Sequence, residues 1–418
     1  MSEWLPRSLA DLARLQKGRK AYTTPSSRNG FVPYLGASAL EGGPTQFAAP
    51  TNMVLGTTND VLMLWDGERS GLVGRGQNGV VGSTVVKLTP LGKTDAGFLF
   101  HALNRKFDWI QARRTGTGVP HVPKDLATYL RLRTPPRSED QALVAEILDT
   151  VDEAIRGTEH LISKLELIRR GLLNDLLTRG IDEDGTLRDP TQHPKQFGDS
   201  LMGLIPRDWE VGRLCDVVDK IDAGWSPACA EHPPATEEWG VLKVSAVTSG
   251  TYLSTEAKTL PKALSPRSEI EVSPGDVILA RANGVADLVG VTVEVLATPP
   301  RLMLSDKLLR LRPNGSRMRG SFLALMMQSA PVRKQIGQAL SGSSGQKNIS
   351  QDAILGLGVA VPQVDEQDRV IQVSRRLNNQ MRCETVLLKK LRSLKLGLRD
   401  DLLTGRVSVT PNREGDAA

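Results

Sequence analysis

Apolar residues recur at steps of three and four along two stretches, 136–180 and 362–406, the spacing that lines one stripe of an α-helix. The two stretches are copies of each other. A shift of 226 positions superimposes them without a gap and brings Leu161, Leu165, Ile168, Leu172 and Leu176 onto Leu387, Leu391, Leu394, Leu398 and Leu402. The pattern predicts two long helices whose stripes serve helix pairing. Pro135 and Pro136 stop helix upstream of the first copy, Ser138 and Gln141 have the spacing of a capping box, and Gly180 suits the residue after the last turn. Roughly forty residues at about 1.5 Å each give a rod on the order of 60 Å. One apolar stripe on so long a rod requires a partner. Residues 137–199 hold 8 basic against 14 acidic side chains and residues 362–418 hold 11 against 8, so charge favours pairing one copy with the other.

The segments between the helices have a different texture. Residues 1–135 are rich in Gly, Thr and Val, with apolar runs at 61–65 and 84–88 separated by DGERSGLVGRGQNGVVG at 66–82, which predicts short strands on glycine turns. A helix is expected at 98–104, a polar loop TGTGVPHVPKD at 115–125 and a strand at 129–133. Residues 181–200 are polar and read as a linker. In 201–361, strands are expected at 241–245, 276–280 and 289–293, a helix at 321–340, and a loop GSSGQKNIS at 342–350 where TGTGVPHVP stands in the first half. The run Arg213 to Val217 echoes Ser8 to Leu12, and residues 407–418 read as a frayed tail. The expected fold class is α+β. Two α/β domains, 1–135 and 201–361, are each followed by a long helix, 136–180 and 362–406, in an internal repeat.

With 418 residues there is room for two or three domains with proper cores. Cys215, Cys229 and Cys383 are too few and too scattered for a disulfide framework or a zinc site, and no charged-then-apolar leader follows Met1, so a cytoplasmic location is expected. No apolar run approaches a membrane-spanning length. The net charge of +6 is unevenly spread: residues 1–136 carry 17 basic and 9 acidic side chains, whereas 200–361 carry 17 and 16. A polyanion would be drawn most strongly to the first globular segment.

Several short motifs point elsewhere and fail on context. GRGQNG (74–79) matches GxGxxG but leads into the strand-like VVGSTVV (80–86) rather than a helix. Gly92, Lys93 and Thr94 end like a phosphate loop, yet Lys87 stands where its first glycine belongs. His101, His121, His160, His193 and His232 show no metal-ligand spacing, and Pro135, Pro233 and Pro299 open no Asn/Asp-Pro-Pro-aromatic signature. Acidic pairs such as Asp400 and Asp401 lie on a helix and read as solvated charge. No catalytic residue, metal or cofactor is expected.

The order of variable core, shared loop and shared helix occurs twice. Together with DGERSG (66–71), GDVILARANGVADLVG (275–290), GQKNIS (345–350), VPQVDEQ (361–367) and LLTG (402–405), it resembles the specificity subunit of type I restriction-modification enzymes over nearly the whole chain. The first half departs from the pattern, with GVPHVP where the second has GQKNIS. The resemblance implies two target-recognition domains, each reading one half of a split duplex sequence. It also implies that the helices pair antiparallel as a spacer and dock methyltransferase subunits, two of them. Restriction/translocase subunits are a further partner class that the sequence leaves open. Methyl transfer with S-adenosylmethionine and ATP-driven cleavage would belong to those partners, and this chain would have no active site.

Two readers held in opposite orientations by a stiff rod call for a bipartite target with a fixed gap, since equivalent groove faces recur about every 10–10.5 bp. Base edges are read by donors and acceptors on turn-borne side chains, Arg for guanine, Asn or Gln for adenine, Ser or Thr for either. The DNA-binding candidates are Arg75, Gln77, Asn78, Thr115, Thr117 and His121 in the first half, and Arg281, Asn283, Ser343, Gln346, Lys347 and Asn348 in the second. The competing readings are a self-contained nucleic-acid enzyme (methyltransferase or nuclease) and a helical protein-binding adaptor. Methyl transfer by the chain alone would favour the first, and failure to bind duplex DNA with partners present the second.

Overall fold

A computed structural model describes residues 4–40, 42–43, 45–116, 118–200, 202–342 and 345–409. The chain divides into two units, residues 1–161 with 384–418 and residues 162–383, so each unit holds one globular domain and a part of each long helix. Among the described residues, no helix is long and apolar enough to cross a membrane.

In the first unit an antiparallel sheet has the spatial order Ala13–Lys17, Val85–Pro90, Val61–Leu64, Val73–Arg75. Strand alternation sends Val61, Met63, Val86 and Leu88 to one face, where they meet Phe98, Leu99 and Leu103 of the helix Ala96–Arg105. The opposite face sends Leu62, Leu64 and Val85 against Leu35, Val54 and Val81, which belong to or flank a second sheet. Both faces of 61–64 are therefore covered, which is why that strand is a continuous apolar run. In the second sheet Val32–Leu35 lies antiparallel to Gln46–Ala48 and parallel to Gly79–Val81.

The second unit repeats this plan with different residues. Its sheet has the order Val218–Ala223, Leu308–Pro313, Val277–Ala280, Thr292–Glu294. Val277, Leu279, Leu309 and Leu311 face the helix side with Phe322 and Leu323, while Ile278, Ala280 and Leu308 face Val241, Leu242 and Met303. Gly240–Leu242 lies between antiparallel Ala257–Thr259 and parallel Leu302–Met303, as in the first unit. The Ser8/Arg213 echo is also structural. Ser8 N donates to Asp11 Oδ2 at 3.0 Å and Arg213 N to Asp216 Oδ2 at 2.7 Å. The helix expected at 321–340 is two, Gly320–Met326 and Ala330–Ala339, because Pro331 near the start of the second cannot continue the first.

The long helices are Ser138–Thr178 and Val364–Leu402. Positions 141, 144, 148, 151, 155, 158, 162, 165, 169, 172 and 176 alternate steps of three and four and are all buried or half-buried; the same holds for 367, 370, 374, 377, 381, 384, 388, 391, 395, 398 and 402, each shifted by 226. That is a heptad seam. In the first unit Arg392 pairs with Glu159 at 2.7 Å, Lys395 pairs with Asp152, and Leu402 and Leu403 share a cluster with Val144 and Leu148, which sets the helix parts antiparallel. In the second unit Leu176 and Leu177 share a cluster with Val370 and Ile371.

Two details differ from expectation. Of the ten stripe residues, Leu165, Leu172, Leu176, Leu391, Leu398 and Leu402 lie on the seam, but Ile168, Leu387 and Leu394 are 45 %, 43 % and 51 % exposed, and Leu161 is half-buried one position off it. The seam positions beside Ile168 and Leu394 are Arg169 and Lys395, long side chains whose apolar stems substitute for a leucine and hide the true register in the sequence. The capping box is absent as well. Gln141 spends its amide elsewhere, accepting from Asp95 N at 2.9 Å and donating to Pro135 O at 3.2 Å. Gln367 does the same, accepting from Arg319 N at 2.8 Å and donating to Pro362 O at 2.9 Å. Pro135, not Pro136, is thus the counterpart of Pro362, and the shift is 227 there rather than 226.

Residues 181–200, expected as a linker, fold back into the second unit: Ile181 is buried in its core, and Phe197–Ser200 pairs with Gly203–Pro206. Of the expected tail, Val409 packs on the first unit's core, and 410–418 lie outside the described residues.

Candidate nucleic-acid interface

Each unit ends its central strand in a loop and braces that loop with a second one. In the first unit the strand 61–64 gives way at Trp65 to a turn that closes where Gly71 N donates to Leu64 O at 2.6 Å. Gly71 has φ +94°, and a Cβ there would lie 2.7 Å from Ile110 Cγ2. The bracing loop is pinched by Thr115 and His121, which exchange backbone hydrogen bonds at 3.0 and 2.9 Å. It is fastened to the strand end by Val122 N donating to Trp65 O at 2.9 Å and by Gly67 N donating to Pro120 O at 2.8 Å.

The second unit builds the same pair. Gly290 N donates to Ala280 O at 2.7 Å, with φ +79° and Ile336 Cδ1 2.8 Å from where a Cβ would stand. Ser341 and Asn348 exchange backbone bonds at 2.9 Å each, and Ile349 N donates to Arg281 O at 3.1 Å. Here the two loops also pair as strands, Ala282 with Asn348 and Asn283 with Lys347. The side chains reinforce this. Ser341 Oγ donates to Asn348 Oδ1 at 2.8 Å, Lys347 Nζ to Gly342 O at 3.2 Å, and Asn283 Oδ1 accepts from Val285 N at 2.9 Å.

The structure therefore brings Arg281, Asn283, Lys347 and Asn348 together, with Gln346 exposed beside them, and brings Thr115 to His121, whose Nε2 lies 3.0 Å from Thr115 Oγ1. Thr117 and Ser343 lie outside the described residues. Gln77 and Asn78 are exposed on a different turn, between Val73–Arg75 and Gly79–Val81. Arg75 is engaged: its guanidinium pairs with Asp149 of the first long helix and stacks 4.6 Å from the centroid of Phe100. The hydrogen bonds to Val122 and Ile349 make Trp65 and Gly67, not Arg75 and Gln77, the counterparts of Arg281 and Asn283. The sequence hides this because the turn 281–289 is longer than 65–70. Glu68 and Arg69, within DGERSG, are exposed at the tip of the first turn.

Charged groups behind the loops hold the frame. His101, 2 % exposed, stands 2.6 Å from Asp149 Oδ1, and burial, outweighing that carboxylate, pulls its imidazole below the ordinary value. Asp152 completes a set of three potential ligands with His101 and Asp149, but Arg75 and Lys395 already neutralise the two carboxylates. The set is an ion-pair network between the domain and its helix. In the second unit Asp222 is held down to about 2: burial pushes it up, but hydrogen bonds from Lys220, Arg312 and Arg310 outweigh that.

Residues 1–167 match the family model described as Type I restriction modification DNA specificity domain. The specificity subunit of the type I restriction enzyme MjaVIII from Methanocaldococcus jannaschii is 27 % identical over 421 residues, covering 97 % of this chain and 93 % of that one. Over nearly its whole length the chain is similar to a type I specificity subunit. The EcoEI specificity subunit of Escherichia coli is 34 % identical over 191 residues, 45 % of this chain and 32 % of its own length. The crystal structure of the type I S subunit from M. genitalium shares the fold, with a TM-score of 0.61 over 96 % of both chains at 16 % identity.

Proposed function

We propose that this chain is the DNA sequence-recognition subunit of a type I restriction-modification complex, reading a bipartite duplex target with one half-site per unit. The observation that carries the reading is the loop pair, built twice on the same strand end with different side chains. Thr115 and His121 stand in one unit where Ser341 and Asn348 stand in the other. Equal frames with unequal loops are what two different half-sites require. Asn283, Gln346 and Asn348 offer amide groups suited to adenine and Arg281 a fork suited to guanine. Arg75, Gln77 and Asn78 belong to a second contact region of the first unit, and Lys347 to the loop pair of the second.

The role is non-catalytic, with methylation and ATP-dependent cleavage left to partner subunits. The off-seam residues support docking of two methyltransferase subunits. Ile168 and Leu394 are equivalent under the repeat and both exposed, so each long helix offers the same apolar position to a partner. The test is modified-base sequencing of DNA from cells expressing the chain with its methyltransferase, against cells lacking the chain. A split methylated motif that needs the chain is expected, and Gln346→Ala with Asn348→Ala should degrade one half of it only. Methylation that persists unchanged without the chain overturns the reading.

A further inference from the structure

We propose that the first unit carries a second anion-binding face, distinct from its loop pair, that grips the phosphate backbone of duplex DNA without reading sequence. The inference rests on the DNA-reading function proposed above. The face is built on the helix Phe107–Gln111 and the short helix Leu126–Tyr129. Arg113 lies over Trp109 with its guanidinium carbon 3.9 Å from the ring centroid, Lys106 Nζ is 5.9 Å from the same ring, and Tyr129 packs 5.9 Å away on the indole. One guanidinium nitrogen of Arg113 donates to Trp109 O at 3.0 Å, which leaves other donors of its fork uncommitted. Arg131 and Arg133 follow, both exposed and two residues apart on one strand face. Among the described residues, none of these four cations has an ion-pair partner within 4.0 Å. The ammonium of Lys106 is pushed below its ordinary value by burial first and then by the neighbouring Arg105 and Arg113.

The second unit supplies the control. The contacts Ile110 to Gly71 and Ile336 to Gly290 fix the equivalence of the two helices, and Leu9 N to Leu130 O (3.0 Å) and Leu214 N to Leu357 O (2.8 Å) fix that of the strands. Lys106, Trp109 and Arg113 then correspond to Val332, Gln335 and Ala339, and Tyr129, Arg131 and Arg133 to Gly356, Gly358 and Ala360. There Gln335 brackets the backbone of Gly358, accepting at 2.8 Å and donating at 3.0 Å, beside a shallow groove lined by Gln338, Ala353 and Gly356. The same frame folds with no charge at these six positions. Folding therefore does not demand the cations of the first unit, and a ligand is their natural use. A guanidinium held over an indole is preorganised for phosphate oxygens. Because Arg113 covers Trp109, the ring is not free to stack on an unpaired base, which favours duplex backbone over single strands.

The test uses the full chain reconstituted with its methyltransferase subunits, with binding measured across a salt series on duplexes with and without the methylated motif. Lys106→Gln combined with Arg113→Gln should lower the slope of log affinity against log salt by about 1.8, at about 0.9 per phosphate contact, on both duplexes, with preference for the motif retained. Arg131→Gln combined with Arg133→Gln, on the neighbouring strand, should act in the same direction, guarding against a local folding defect in one pair. An unchanged slope with motif binding intact overturns this face and spares the recognition reading. Loss of methyltransferase assembly at constant DNA slope reassigns the face to an acidic protein surface and overturns it too. Failure of the wild-type complex to bind any duplex overturns both.

Discussion

The two units meet one requirement at one place with different chemistry. In the second, Arg310 is 3 % exposed and reaches Asp222 at 3.0 Å, Asp276 at 3.1 Å and the carbonyls of Glu269 and Glu271 at 2.8 Å each. In the first, the same strand position is Lys87, 4.0 Å from Asp60 and 2.9 Å from Leu55 O. Asp60 and Asp276 do the same work, shaping the turn before the central strand by accepting from Thr57 N at 2.8 Å and Ser273 N at 2.9 Å. The planar fork of Arg310 satisfies two carboxylates and two carbonyls at once, whereas the ammonium of Lys87 reaches one carboxylate and one carbonyl. Both units place a cation beside the turn aspartate, a buried arginine in one and a half-buried lysine in the other. Such positions are held in common by the two domains although their sequences have parted.

The largest effect expected follows from that contrast. Arg310→Met would leave Asp276 without its counter-charge and Asp222 with only the more exposed Lys220 and Arg312, a loss of about 3–5 kcal/mol for a broken buried pair. Lys87→Met abandons one carboxylate that keeps its bonds from Thr57 and Thr89, and should cost about 1–3 kcal/mol. Hydrogen exchange resolved by unit would read each loss separately. Equal losses would show that the two cations are equivalent and break the comparison.

Much of this was legible in the sequence, and the failures share a cause. The repeat, the long helices and the doubled architecture follow from periodicity and from Gln141 matching Gln367. The heptad register is hidden in the sequence because Arg169 and Lys395 sit in the seam, where a pattern scored on apolar residues sees only the neighbours Ile168 and Leu394. The pairing of Arg75 with Asp149 joins residues far apart in the chain, and nothing local announces it. The equivalence of Trp65 with Arg281 was hidden by turns of unequal length; it becomes visible through backbone hydrogen bonds, which do not depend on side-chain identity.

A second contrast separates the starts of the long helices. Glu366, 3 % exposed, accepts from Arg188 at 2.7 and 3.0 Å, from Ile181 N at 3.0 Å and from Trp209 Nε1 at 3.2 Å, so one carboxylate ties the second helix to the segment that follows the first. Its counterpart Asp140 is bonded by Arg137 three residues away, at 3.0 and 2.6 Å. Glu366→Gln should destabilise the second unit by about 1.5–3 kcal/mol, the range for hydrogen bonds to a charged group. Asp140→Asn should cost about 1 kcal/mol or less, because its partner is half-exposed and reaches water when released. Denaturant titration of the full chain, with protection of Ile181 and of the 138–148 amides read by hydrogen exchange, distinguishes the two. A comparable loss at Asp140 would mean that it too ties distant segments together.

The smallest effect is silent at neutral pH and distinguishes the units in acid. Strand register places Gln16 beside Lys87 where Asp222 stands beside Arg310, so only the second unit has a titratable group there. Asp222 is held down from 3.8 to about 2. A depressed carboxylate contributes stability that is fully present above its unfolded value and is lost as pH falls through its folded value. The contribution of Asp222 should therefore be constant from neutral pH down to about 4 and decline toward about 2. Amides of Val218–Ala223 and Leu308–Pro313 should lose protection over that window, and Asp222→Asn should flatten this part of the profile while lowering protection at neutral pH. Gln16→Ala in the first unit should leave the acid profile of Val85–Pro90 unchanged. A profile at 308–313 that keeps its acid-dependent loss in Asp222→Asn would assign the titration to another carboxylate of the cluster, with Asp276 the next to replace.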